Sequence, residues 1–151
     1  MYEQLVHDRS EGPKFLSNPA SQKIIIDSWK YIAKTLNISI YIVCVMSNHV
    51  HVILRGNDRD CDIDLEELML SHKKFTATQI NKTDNKKGRR VWAKDFFDRA
   101  IRKGSFTTVF WYVLKNPVLA GIVNNPFEYN GTWFDTRMEQ KYVTPYRHNW
   151  S

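Results

Sequence analysis

Between Ile38 and Leu54 the chain carries two strand-like runs separated by a single turn pair, and this spacing constrains the fold more than any other feature. Ile38 to Met46 is rich in β-branched and aromatic residues and too short for a buried helix, so it reads as a central strand. Ser47-Asn48 supplies turn chemistry. From His49 to Arg55 the pattern alternates, placing Val50, Val52 and Leu54 on one face and His49, His51 and Ile53 on the other. Two strands joined this tightly form an antiparallel hairpin.

Helical patterns flank the hairpin. Asn18-Pro19 provides an N-cap and a proline at the first helical position, and Ile25, Trp29, Ile32 and Leu36 recur on one face up to Asn37. Asp64 with Glu67 resembles a capping box opening a helix that carries Leu65, Leu68, His72, Phe75 and Gln79 or Ile80 and ends near Asn81. Val91 to Ile101 contains a further strand. Gly104-Ser105 then caps a helix from Phe106 to about Lys115, which Asn116-Pro117 stops, with Val118 to Val123 a short helical turn. Residues 1–17 read as loop, with at most a short strand before Asp8.

The expected class is α+β: a ferredoxin-like antiparallel sheet with helices on one face and the first strand short or missing. An exposed sheet edge would then lie beside the histidine strand. With 151 residues and a 42% apolar share, the chain suits one domain over residues 1–151, of which 124–151 form an aromatic-rich C-terminal tail. Ile38 to Met46 falls far short of the ~20 residues needed to cross a bilayer, and the N-terminus has no signal pattern. Cys44 and Cys61 show neither metal spacing nor a disulfide framework, so a cytoplasmic location is expected.

The formal charge of +6 is unevenly spread. From His72 to Lys103 there are eleven Lys or Arg against three Asp or Glu, so this third of the chain carries +8 and the remainder −2. Such a segment suits a polyanion, with nucleic acid foremost, although a solvated helix end and a basic loop would show the same composition.

Two constellations could carry chemistry. His49 and His51, two apart on a strand, point the same way and bring two imidazoles within reach of one metal ion, although a lone His-x-His is a weak signal. On the helix from Phe106, Tyr112 and Asn116 lie one turn apart, so a phenol and an amide face the same point. Taken singly, Tyr112 also reads as a residue at the edge of the core, and Asn116 as a helix stop before Pro117.

In combination these segments resemble a known family. Met46-Ser47-Asn48-His49-Val50-His51-Val52-Ile53-Leu54 is similar to the signature strand of HUH endonucleases, and Phe75-Thr76-Ala77-Thr78-Gln79-Ile80 after Lys73-Lys74 to their second helix. Val91-Trp92-Ala93-Lys94-Asp95-Phe96-Phe97-Asp98 and the stretch Tyr112 to Val123 are similar to the tyrosine segment of REP-associated tyrosine transposases, relatives of single-tyrosine insertion-sequence transposases. The resemblance covers about residues 8–135 and implies a single-stranded DNA endonuclease and strand transferase. It implies that His49, His51 and Asn116 hold Mg²⁺ or Mn²⁺, and that Tyr112, on the C-terminal helix, attacks a phosphodiester to leave a 5′-phosphotyrosine. A phenol is a poor nucleophile at neutral pH unless its target is polarised, which a metal on the phosphate oxygens achieves.

The implied partner is single-stranded DNA bearing a palindromic hairpin, with a monomer favoured over a homodimer and a nucleoid-associated site in a bacterium. Lys73, Lys74, Lys82, Lys86, Lys87, Arg89, Arg90, Arg99 and Arg102 would track phosphates, and Trp92 would offer a stacking surface, as Phe96 and Phe97 could if they do not pack in the core. Two positions depart from the family pattern: Ser47 stands where proline is common, and Phe97-Asp98-Arg99 replaces an aromatic-Asp-His triplet. A binding module of the same fold with impaired catalysis is the alternative, and a zinc site built from His49, His51 and His72 a weaker one.

Overall fold

The computed structural model describes residues 3–57 and 64–147, so Cys61 lies outside the described residues. Five strands form one antiparallel sheet: β1 (Gln4–Ser10), β2 (Ile38–Val45), β3 (His49–Gly56), β4 (Trp92–Ala100) and β5 (Thr132–Phe134), in the order β4-β1-β3-β2-β5. Helices α1 (Pro19–Thr35) and α2 (Leu65–Thr83) alternate with the strands as the ferredoxin-like pattern requires, and α3 (Phe106–Leu119) follows β4.

The hairpin is as read. Met46 N–H donates to the His49 carbonyl at 2.8 Å, and β2 pairs with β3 from Ile38↔Gly56 to Val45↔Val50. One extra residue at Tyr41 bulges β2, so that Ile38 and Ile40 before it, and Val43 and Val45 after it, share one face. Ile42, Cys44 and Met46 project to the other.

Three expectations need correction. The first strand is neither short nor missing: β1 spans seven residues and sits inside the sheet, paired with β3 from Gln4↔Leu54 to Arg9↔His49 and with β4 from Gln4↔Ala100 to Ser10↔Trp92. Its weak apolar pattern reflects a buried carboxylate. Asp8 points into the α1/α2 side, where Lys73 of α2 meets it at 3.0 Å.

Helices also cover both faces. Val6, Ile40, Val52 and Leu54 pack against Ile25, Trp29 and Ile32 of α1 and Leu68, Met69 and Ile80 of α2. Leu5, Ile42, Cys44 and Ile53 on the opposite face pack against Val109, Phe110, Val113 and Leu114 of α3. A β2 that is apolar on both sides demands this second layer. The expected tail completes it: β5 pairs with β2, and Phe127, Met138, Tyr142 and Val143 join the α3 core.

Finally, α3 does not stop at Asn116-Pro117 but runs through it. An interior proline removes one helical hydrogen bond at a typical cost of about 3 kcal/mol, and here its ring is buried. The stop comes at Gly121, whose φ of +76° suits a glycine C-cap. Ile122 N–H donates to Pro117 O at 2.9 Å and Gly121 N–H to Val118 O at 3.0 Å.

The other helix ends match their capping residues. Asn18 Oδ1 accepts from Ala20 N–H at 2.9 Å, and Asp64 Oδ1 from Glu67 N–H at 3.0 Å. Leu36 and Phe75, though at helical spacing with the apolar residues of α1 and α2, are exposed: Leu36 follows the last turn of α1, and the inward face of α2 runs through Thr76.

Candidate functional site

Sheet register assembles the site. His7 of β1 stands opposite His51 of β3, Phe97 of β4 lies on the other side of His7, and Cys44 of β2 on the other side of His51. Directly paired residues share a face, so Phe97, His7, His51 and Cys44 form one row across the sheet, on the side covered by α3. His49, two residues from His51, projects from the same face.

The three imidazoles pack together. Ring centroids lie 4.6 Å apart for His7 and His51, 5.3 Å for His7 and His49, and 5.1 Å for His49 and His51. One ligating nitrogen from each falls within 4.8 Å of the others. His7 is the member that the sequence pattern missed. Its signal was the alternation Leu5, His7, Arg9, which puts it on one face of a strand once β1 is accepted as one.

Electrostatics keep these rings neutral. Burial, then the nearness of His7 and His49, pushes the His51 imidazole down to about 3. His49 is lowered by burial and by His7, and His7 by burial and by Arg9. A neutral imidazole offers a lone pair to a metal. Asn48 Oδ1 accepts from His49 Nδ1–H at 2.8 Å, which leaves Nε2 unprotonated and oriented. His51 Nδ1 is buried without a hydrogen-bond partner, a costly state for a polar atom that a metal ion would relieve. The donor set therefore fits a divalent ion. Cys44, next in the row, does not join it: burial pushes its thiol up to about 11, and Sγ faces Met46 Sδ.

Helix α3 brings Tyr112 over this cluster. Its ring centroid lies 5.8 Å from that of His51, edge to face, and the side chain is 46% exposed, open to a substrate. Asn116 follows one turn later, half-buried, within the helix rather than at its end. A cleft of about 500 Å³ opens in front, lined by His7, His51, Phe97, Asp98, Arg99 and Tyr112 among others.

The cationic residues divide. Lys74, Lys82, Lys86, Lys87, Arg90, Arg99 and Arg102 are exposed. Lys73 is not free for phosphates, since it is held by Asp8 and donates to Ala93 O at 2.9 Å. Arg89 is likewise engaged, by Asp84 at 2.7 Å and Asn81 Oδ1 at 3.0 Å, over the Phe15 ring. Trp92 offers no stacking surface: it is buried, and its Nε1–H donates to Thr76 Oγ1 at 2.9 Å. Phe97, on the edge strand, is the exposed aromatic beside the histidines. His72 lies on the other side of the sheet, against Trp29 and Trp92 in the α1/α2 core, which excludes a zinc site shared with His49 and His51.

The fold matches solved structures. A REP-associated tyrosine transposase bound to a REP hairpin superposes with a TM-score of 0.65 at 16% identity, over 85% of this chain and 73% of that one. A crystallised transposase candidate from Deinococcus radiodurans R1 gives 0.55 at 13% identity, over 74% of this chain and 87% of that one. No curated protein matches. The family model for IS200-like transposases matches residues 12–116, which include the histidine hairpin, α2, β4 and α3 as far as Asn116. The chain belongs to the IS200-like transposase family.

Proposed function

We propose that the protein is a metal-dependent endonuclease and strand transferase for single-stranded DNA that carries a hairpin, with Tyr112 as the nucleophile. The observation that carries this reading is the placement of the exposed Tyr112 ring over the neutral histidine cluster at the head of an open cleft.

His49 and His51 would hold a divalent ion, with the Asn116 amide one turn beyond Tyr112 as a further ligand. The chemistry that such an ion would supply is polarisation of the scissile phosphate and its orientation for in-line attack. The Tyr112 phenolic oxygen attacks phosphorus, giving up its proton. The bond to the 3′-oxygen breaks, and that oxygen takes up a proton as the free hydroxyl. Because the phosphodiester is exchanged for a tyrosine ester, rejoining is the same step reversed. Arg99 at the cleft wall and Arg102 beyond it neutralise the backbone near the break. Lys74, Lys82, Lys86, Lys87 and Arg90 contact the flanking duplex, and the protein acts as a monomer. Loss of the first strand would favour a binding module with impaired catalysis, and β1 instead spans seven residues inside the sheet.

Incubation with a labelled hairpin-bearing oligonucleotide and Mn²⁺ should yield a denaturation-resistant protein–DNA adduct. Tyr112→Phe should abolish that adduct while DNA affinity is kept. An adduct surviving in the phenylalanine variant removes Tyr112 from the role.

A further inference from the structure

We propose that His7 is a ligand of the same divalent ion, so that His7, His49 and His51 form a three-imidazole site that selects a late first-row transition ion, of the Co²⁺ or Zn²⁺ type, over Mg²⁺. The proposal rests on the reading of His49 and His51 as ligands and adds to it both a residue and a metal preference.

Three observations carry it. His7 is fixed by pairing on both sides, with His51 across from it on β3 and Phe97 across from it on β4, so its side chain is committed to this face. Its ligating nitrogen lies within 4.8 Å of those of both other histidines. A tetrahedral ion with metal–nitrogen bonds of about 2.1 Å spaces its donors by roughly 3.4 Å, so the rings need only a small inward swing. Third, His51 Nδ1 is buried and has no hydrogen-bond partner.

The metal preference follows from the donor atoms. Mg²⁺ seeks oxygen ligands and gives up its waters reluctantly, whereas imidazole suits the later first-row ions. Among the described residues, the His, Cys, Asp and Glu side chains that come together here are all histidines. β1 residues 4–10 precede the segment that the family model matches, so family membership leaves His7 without a role.

The test is metal binding by the full chain without DNA. Co²⁺ titration followed by visible absorption, and Zn²⁺ and Mg²⁺ titration by calorimetry, are run on the wild type and on His7→Gln, His7→Phe and His49→Ala. The phenylalanine variant keeps a ring against His51 and Phe97, and the metal-free melting transition of each variant shows that it is folded. The expected result is one Co²⁺ or Zn²⁺ per chain, not displaced by equimolar Mg²⁺. Both His7 variants should bind at least about tenfold more weakly, the lower end of what loss of even an outer partner of a ligand produces. If the folded His7 variants bind like wild type while His49→Ala does not, His7 is no ligand and the two-histidine site stands. If His49→Ala also binds like wild type, the histidine site itself falls. Displacement of Co²⁺ by equimolar Mg²⁺ overturns the selectivity.

Discussion

His72 should make the protein sensitive to acid, by an amount that follows from its surroundings. The ring is buried in α2, tilted by 36° against Trp29 with the ring centroids 4.5 Å apart, and Nδ1 lies 2.8 Å from Ser28 Oγ. Burial, and secondarily the Lys73 cation, pushes its ionisation from 6.5 down to about 3. In the folded protein the imidazole is therefore neutral at pH 5, whereas in the unfolded chain it is almost fully protonated. The unfolded state binds the extra proton, so stability is intact above about pH 6.5 and is lost as pH falls towards 3. Between pH 8 and pH 5 the loss from this one group is about 2 kcal/mol, and it changes little if the folded value is 4 rather than 3. Urea unfolding at both pH values, followed by tryptophan fluorescence, should give a difference between the two stabilities that is smaller by about 2 kcal/mol in His72→Gln than in wild type. The comparison cancels whatever the substitution costs at both pH values, and it cancels the opposing contribution of Asp8, which burial holds up at about 6. Equal pH dependence in the two proteins would refute the argument.

Neighbouring lysines should separate by role. Lys73→Met leaves Asp8 buried without its cation and should destabilise the protein by about 3 kcal/mol at pH 8 in chemical unfolding. The exposed Lys87→Ala should leave stability unchanged but weaken DNA binding, lowering the slope of log affinity against log salt by roughly 0.7–0.9. An unchanged slope would take Lys87 out of the interface. At the end of α3, a Cβ on Gly121 meets no atom within 4 Å, so Gly121→Ala tests backbone strain alone. Its melting transition should report a loss of about 1 kcal/mol.

Legibility in the sequence followed the distance over which each interaction acts. The parity of β3 was readable because Val50, Val52 and Leu54 alternate with His49, His51 and Ile53, and the N-caps of α1 and α2 because Asn18 and Asp64 act within three residues. β1 was not: its buried Asp8 is tolerated through Lys73, a partner 65 positions away in sequence. The same cause hid His7, since a histidine in an unrecognised strand has no face. Pro117 reads as a stop because proline ends helices on propensity, whereas here burial of its ring and the glycine cap at Gly121 carry the helix past it. Lys73, Arg89 and Trp92 look like nucleic-acid contacts in a basic stretch, and the carboxylates and hydroxyl that engage them become visible once the chain is folded.

The interior position of β1 also sets when the site can come into being. β1 has Leu54 and Ala100 opposite Gln4 on its two sides, so its pairing is complete only once residue 100 has been made. Pairings this remote slow folding, while the β2–β3 hairpin can close early through its two-residue connection. On a ribosome that releases the N-terminus first, His7 and His51 can pair once β3 has emerged, and Tyr112 reaches them after β4 and α3. A chain elongated only as far as β3 thus holds the three histidines of the cluster but not Tyr112, and the arrangement of all four residues waits on α3.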